Sequence, residues 1–270
     1  MAFWTYNGLK FGIKSVKFPK ENDFYDGFIS SIKINERKCL NLTKKDNERE
    51  RKCRECELVC PTKAINLSNL SGEEEIKECA PLKVIDAERC IFCGLCIDVC
   101  IDVNGSGGIG AISYAAGLDF NIRPRNYTAD KKIFKKSLFV KHIDTGSCGA
   151  CESEINALNN PYYNMHRLGI FITPSPRFAD VLLATGTFTE RMKEVFLNVL
   201  DNIPKPRFIV LAGSCAIFGG IFENETAKGA EDSNLLALLD NENVIMLPHC
   251  PPNPFEILNV LLLIKNGGLK

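Results

Sequence analysis

The sequence predicts two folded units in one chain: an α+β unit built on an internal duplication, then an α/β unit organised around a parallel sheet. Three observations predict this. A short β-like run ending in a charged turn and a cysteine occurs twice, as IKINERKC at 32–39 and KVIDAERC at 83–90. From residue 136 onward, continuous Val/Ile/Leu runs alternate with helical segments, the pattern of strands covered on both faces. Between them, residues 104–136 mix glycine, proline and positive charge without sustained periodicity. The expected boundaries are 1–115 for the first unit, 116–136 for a linker and 137–270 for the second.

Composition bounds the function. The chain has 270 residues, 45% of them apolar, enough for real cores. Its 33 basic and 33 acidic residues balance, so no global field points to nucleic acid. Three histidines are too few and too scattered for histidine-based zinc catalysis. No run of eighteen apolar residues occurs, and the start MAFWTYNGLKFGIK lacks the charged-then-apolar order of a signal peptide. Thirteen cysteines in a reducing compartment favour metal sites over disulfides. The expected location is therefore the cytoplasm.

In the first unit, Cys90, Cys93, Cys96 and Cys100 read C-x2-C-x2-C-x3-C. That is the bacterial ferredoxin run, whose fourth cysteine serves the other cluster of a pair. Cys53, Cys56 and Cys60-Pro61 match its second, third and fourth positions, where residue 50 is a glutamate. Alignment of the repeats supplies Cys39 instead, displaced by a polar insertion whose closure entropy grows only logarithmically with length. One [4Fe–4S] cluster then takes Cys39, Cys53, Cys56 and Cys100, and a second takes Cys90, Cys93, Cys96 and Cys60. Each cluster staples the two repeats together, so metal binding is also folding energy. Cys79 is read as a small buried hydrophobe. Structural zinc is the alternative here, but it needs no third and fourth cysteine at these spacings. The short apolar segments CPTKAI at 60–65 and GAISY at 110–114 complete an α+β ferredoxin-like unit.

In the second unit, strands are expected at 136–143, 168–173, 180–185, 207–213 and 244–248, with helices at 151–159, 189–200 and 254–265. The four remaining cysteines follow strands: Cys148 and Cys151 the first, Cys215 the fourth, Cys250 the last. Open α/β sheets bind ligands at these carboxyl ends. The alternative is that Cys215 and Cys250 are ordinary buried thiols.

The motifs DTGSCGACESEI, PSPRFADVLLATGTFTERM, AGSCAIFGGIF and PHCPPNP resemble, in order and spacing, the small electron-transfer subunit of membrane-bound energy-converting [NiFe] hydrogenases. That subunit is related to the 20-kDa subunit of respiratory complex I. The resemblance covers residues 137–265. It implies a flavodoxin-like fold and a third [4Fe–4S] cluster held by Cys148, Cys151, Cys215 and Cys250. It further implies a partner large subunit carrying the NiFe site, membrane subunits, and a soluble ferredoxin as donor or acceptor. Attachment is then peripheral, on the cytoplasmic membrane face, through partner subunits. Quinone-reducing relatives carry adjacent cysteines at the first motif, whereas here Gly149 and Ala150 separate Cys148 from Cys151. The spacing favours the hydrogenase form over a complex I-like dehydrogenase that reduces quinone. A zinc-loaded scaffold protein is the non-catalytic alternative. The first unit departs from most such subunits, so the chain resembles a fusion.

Four side chains are singled out beside the cysteines. Glu154 resembles a family glutamate that carries protons near the partner's metal, its alternative being a solvated first-turn carboxylate. Glu152 has the weaker case. Arg177 is expected to donate hydrogen bonds toward the third cluster or an interface carboxylate. His249 adjoins Cys250 and is read mainly as a polar neighbour of that cluster.

Overall fold

The computed structural model describes residues 3–12, 15–21, 29–35, 38–39, 53–67, 84–104, 110–116, 122–125, 134, 136–222, 227–231 and 234–267. Cys79, most of the polar insertion after Cys39 and most of the expected linker lie outside these residues.

The chain begins with helix α1 (Phe3–Phe11), none of whose side chains is buried. Residues 15–21 follow as an extended strap on the second unit. Val16 donates its N–H to the Tyr162 carbonyl at 2.8 Å, and the Arg167 guanidinium donates to the Phe18 carbonyl at 2.7 Å. Phe18 packs edge-on against Phe255, and both Val16 and Phe18 belong to the second unit's core. The amino-terminal strap therefore departs from the expected 1–115 boundary. Two large apolar side chains find more surface to bury there than the small first unit offers.

The first unit contains β1 (Ile29–Ile34), α2 (Glu55–Leu58), α3 (Leu95–Asn104) and β2 (Ile112–Ala116). β1 and β2 pair antiparallel, with Ile34 opposite Ile112. A single antiparallel bridge joins Ile65 to Ile85. The duplication is visible in the hydrogen bonds. Asn35 N–H donates to the Ala111 carbonyl at 2.7 Å, and Asp86 N–H donates to the Ala64 carbonyl at 2.7 Å. Cys39 N–H then donates to the Asn35 carbonyl at 3.1 Å, as Cys90 N–H does to the Asp86 carbonyl at 3.1 Å. Cys39 and Cys90 thus close the same turn in the two repeats. Each repeat pairs its first strand position with the other's second, so neither is complete alone. The apolar core is small: Ile65, Val84, Ile112 and Cys96, with partly buried isoleucines and cysteines around them.

β3 (Arg123–Arg125) lies inside the stretch expected to be linker and pairs antiparallel with the last strand of the second unit. It sits at the sheet edge, the position where a strand proline such as Pro124 is tolerated.

The second unit then runs β4 (Leu138–Asp144), α4 (Ala150–Ala157), β5 (Ile170–Ile172), β6 (Val181–Thr185), β7 (Phe188–Thr189), α5 (Glu190–Asp201), β8 (Phe208–Ala212), α6 (Ser214–Phe218), β9 (Ala227–Lys228), α7 (Leu235–Leu238), β10 (Asn243–Leu247) and α8 (Pro254–Asn266). The main sheet is ordered β3-β10-β8-β6-β4-β5, while β7 and β9 form a separate short ribbon. Apart from β3 its pairings are parallel. Counted along the chain, the parallel strands lie 2-1-3-4-5, a common doubly wound order with its switch point beside the first strand. Alternate residues feed two cores. Val181, Leu183, Phe208, Val210, Ile245 and Leu247 face the α8 side, while Leu182, Ala184, Ile209, Leu211, Val244 and Met246 face the α5 side. Asn253 caps α8 by accepting from Glu256 N–H at 2.9 Å, and the Glu256 carboxylate accepts from Asn253 N–H at 2.9 Å. This capping box fixes the turn that carries Cys250.

Candidate metal centres

Parallel register brings the second unit's cysteines together. Asp144, Thr185, Ala212 and Leu247 form one row across β4, β6, β8 and β10. The chain segments just past that row carry Cys148 and Cys151, Cys215, and Cys250. The Cys215 thiol donates to the Cys250 sulfur, so the Cys215 pKa is raised while Cys250 falls to about 7. Burial pushes Cys151 up to about 12, and the Cys250 and Cys148 sulfurs are close enough to push it further. Two glycines leave room for this packing. A Cβ on Gly213 would lie 2.9 Å from Cys151 Sγ, and one on Gly220 would lie 2.7 Å from Cys215 Sγ.

The first unit makes two more convergences. Burial raises Cys56 to about 11, with Cys53, Cys39 and Cys100 adding to the shift. Burial likewise raises Cys90 to about 11, and the Cys60 and Cys93 sulfurs lie close to it. Cys96 rises to about 12 for the same reason, with Cys90, Cys93, Cys60 and Cys56 as neighbours. Cys60, Cys90, Cys93 and Cys96 line one cavity with Ile32, Ile65 and Ile85. Ala64 N–H donates to Cys60 Sγ and Ala111 N–H to Cys100 Sγ, both at 3.2 Å, again related by the duplication. The two distant cysteines are therefore held by equivalent N–H···S bonds, a known lever on cluster potential.

Buried thiols crowded together resist ionisation, and cations at the centre of each set reverse that preference. Sulfur donors, backbone N–H groups on sulfur and Cβ-free walls suit an iron–sulfur cluster. Among the described residues, no three His, Cys, Asp or Glu side chains are grouped to share one metal ion.

The two units meet at these sites. Phe92 lies edge-on to His249, ring centroids 4.9 Å apart. Ser214 Oγ donates to the Cys90 carbonyl at 3.4 Å, and the Arg89 guanidinium stacks over Phe218 at 4.2 Å. The Cys90 loop thus rests on the residues flanking Cys215 and Cys250. His249 is 2% exposed, at φ +87°. Its Nδ1 lies 2.7 Å from Glu256 Oε1.

Glu152 and Glu154 differ. Burial would raise the Glu152 carboxyl, but hydroxyls donated by Thr185 and by Ser147 at 2.8 Å, with His142 Nε2 at 3.7 Å, hold it below its ordinary range. Glu154 on the same helix is raised by burial alone and lies near Tyr163. Arg177 is exposed on the turn Pro176–Phe178 and makes no salt bridge among the described residues.

The family model for the NADH ubiquinone oxidoreductase 20 Kd subunit matches residues 148–264. An uncharacterized Methanocaldococcus jannaschii protein is 37% identical over 135 residues, which is 50% of this chain and 87% of that protein. The chain belongs to the 20 Kd subunit family.

Other relatives of this 20 Kd subunit chain carry functional names. Formate hydrogenlyase subunit 7 of Escherichia coli is 36% identical over 47% of the chain and 48% of its own length. The probable membrane-bound hydrogenase subunit mbhJ of Pyrococcus furiosus is 32% identical over 49% of the chain and 76% of its own length. A subunit of an archaeal membrane-bound sulfane sulfur reductase aligns at TM-score 0.39 and 27% identity, over 48% of this chain and 72% of that one. A 4Fe-4S dicluster domain model matches residues 51–102, so the 20 Kd family unit here is joined to an iron–sulfur unit. The first unit of this oxidoreductase-family subunit therefore carries iron–sulfur chemistry. Sequence reasoning ranked Glu154 above Glu152 and missed Phe92. Their partners, Thr185 at the end of β6 and His249 just past β10, are distant in sequence, and no local pattern announces them.

Proposed function

We propose that this 20 Kd family chain is the electron-transfer subunit of a membrane-associated, energy-converting [NiFe] hydrogenase. Three [4Fe–4S] clusters, when bound, supply one-electron carriers. Cys39, Cys53, Cys56 and Cys100 hold the first, Cys60, Cys90, Cys93 and Cys96 the second, and Cys148, Cys151, Cys215 and Cys250 the third. The second unit is flavodoxin-like, and Cys148 stands exposed at its strand ends, where a large subunit carrying the NiFe site would dock. Membrane subunits and a soluble ferredoxin complete the assembly. Glu154, kept more basic by burial, is suited to take and release a proton at that interface, and exposed Arg177 to pair with a partner carboxylate.

The contact of the Cys90 loop with Ser214 and His249 carries this reading, because it supports electron passage between the second and third proposed clusters. The Cys148-x2-Cys151 spacing favours hydrogenase over quinone chemistry. Anaerobic purification of the native complex tests it. The expected result is about twelve irons and matching labile sulfide on this chain, at four per cluster, with a co-purifying nickel-containing subunit. A nickel-free complex, or far fewer irons, overturns it.

A further inference from the structure

Helix α1 lies outside both matched segments, and nothing in the electron path uses it. Five of its nine residues are large and apolar or aromatic, beside Thr5, Asn7 and Lys10. Phe3, Trp4, Tyr6, Leu9 and Phe11 are 80%, 77%, 60%, 75% and 57% exposed, and no side chain of the helix is buried. Exposed apolar and aromatic side chains gathered on one short helix mark a surface that meets another apolar phase. This one is tethered by the strap at Val16 and Phe18, whose contacts with Tyr162, Arg167 and Phe255 fix its point of departure.

The helix itself and the residues up to 20 carry only positive charge. Residues 1–20 contain four lysines and no aspartate or glutamate, although the whole chain is balanced. Lys17 pairs with Glu21 at 2.6 Å, which leaves Lys10, Lys14 and Lys20 as uncompensated in sequence. Trp and Tyr are the residues that seat at the boundary between hydrocarbon and headgroups, and lysines beside them favour anionic lipid. Among the described residues, no helix is long and apolar enough to cross a membrane.

We propose that α1 is a membrane-surface anchor that inserts its aromatic and leucine side chains into an anionic leaflet. The chain then touches lipid directly, in addition to any attachment through partner subunits, and independently of which clusters it holds. Trp4 is the sole tryptophan and sits in the helix, so its fluorescence reports on α1 alone.

The test uses the cluster-loaded full chain with vesicles of phosphatidylcholine alone or mixed with phosphatidylglycerol. The expected result is co-sedimentation with the anionic vesicles, weakened by salt, with a blue shift of Trp4 emission. A Phe3→Ser, Leu9→Ser, Phe11→Ser variant keeps the reporter and removes no buried contact. It should retain full iron content and bind anionic vesicles at least roughly tenfold more weakly, a loss of about 1.4 kcal/mol. Undiminished vesicle binding by that variant overturns the proposal. So does a Trp4 shift that appears only when the complex's other subunits are added, which would make α1 a protein-docking helix.

Discussion

Phe92 and His249 meet edge-on with ring centroids 4.9 Å apart, one from the Cys90 loop and the other beside Cys250. This contact joins two units whose folds are otherwise unrelated. Replacing Phe92 with alanine removes an aromatic pair worth about 0.5–1.5 kcal/mol. The expected outcome is unchanged iron content and slower reduction of the strand-end site by electrons entering through the first unit. Rapid-freeze EPR on the full chain checks it, and wild-type rates would remove Phe92 from the path.

The ligand assignments make separable predictions. Cys215→Ala should cost about four irons and one EPR signal while the ferredoxin-like pair survives. Cys39→Ser should damage the set it shares with Cys53, Cys56 and Cys100. Cys79→Ser should leave the iron count alone. Loss on replacing Cys79 but not Cys39 would reassign the ligand.

Gly213 sits at φ +98° with Cys151 Sγ where a methyl would go. A residue forced into that backbone region costs about 1–3 kcal/mol, and the clash displaces the sulfur as well. Gly213→Ala should therefore lower iron occupancy of the second unit, measured as iron per chain, without affecting the first.

The Arg207–Glu242 pair offers a pH signature remote from every cysteine. Arg207 is 8% exposed and donates to both Glu242 oxygens, at 3.0 and 2.7 Å, and to the Ile203 and Leu200 carbonyls. The Arg207 hydrogen bonds, outweighing burial, hold Glu242 below its ordinary value of 4.5. A depressed carboxylate contributes stability that is fully present above its unfolded pKa and lost as pH falls through the folded one. Glu242→Gln should thus destabilise by about 1.5–3 kcal/mol at neutral pH. The gap from wild type should be constant down to about pH 5.5 and shrink below 4.5. Paired thermal melts check it, since acid lability of the clusters affects both proteins alike.

The doubly wound sheet was legible because Val181–Thr185 and Phe208–Ala212 are unbroken buried runs, which only a two-faced sheet produces. The dicluster character of the first unit was legible because cysteines that share a tight cluster loop, as at Cys90, Cys93 and Cys96, recur at fixed spacing. β3 was not, since Arg-Pro-Arg has no strand propensity of its own and pairs only because β10 presents a free edge. The strap at Val16 and Phe18 was hidden for the same reason: its partners, Tyr162 and Phe255, are far along the chain. Glu152 shows the limit most plainly. Its hydroxyl donor Thr185 ends a different strand, a partner that no spacing within one helix announces.

The pairing of Arg123–Arg125 with Asn243–Leu247 also sets a timetable for biosynthesis. Ribosomes deliver the chain at about 5–20 residues per second, so β3 must wait for a partner synthesised long after it. Until then the faces that later meet at Ser214 and His249 stand apart.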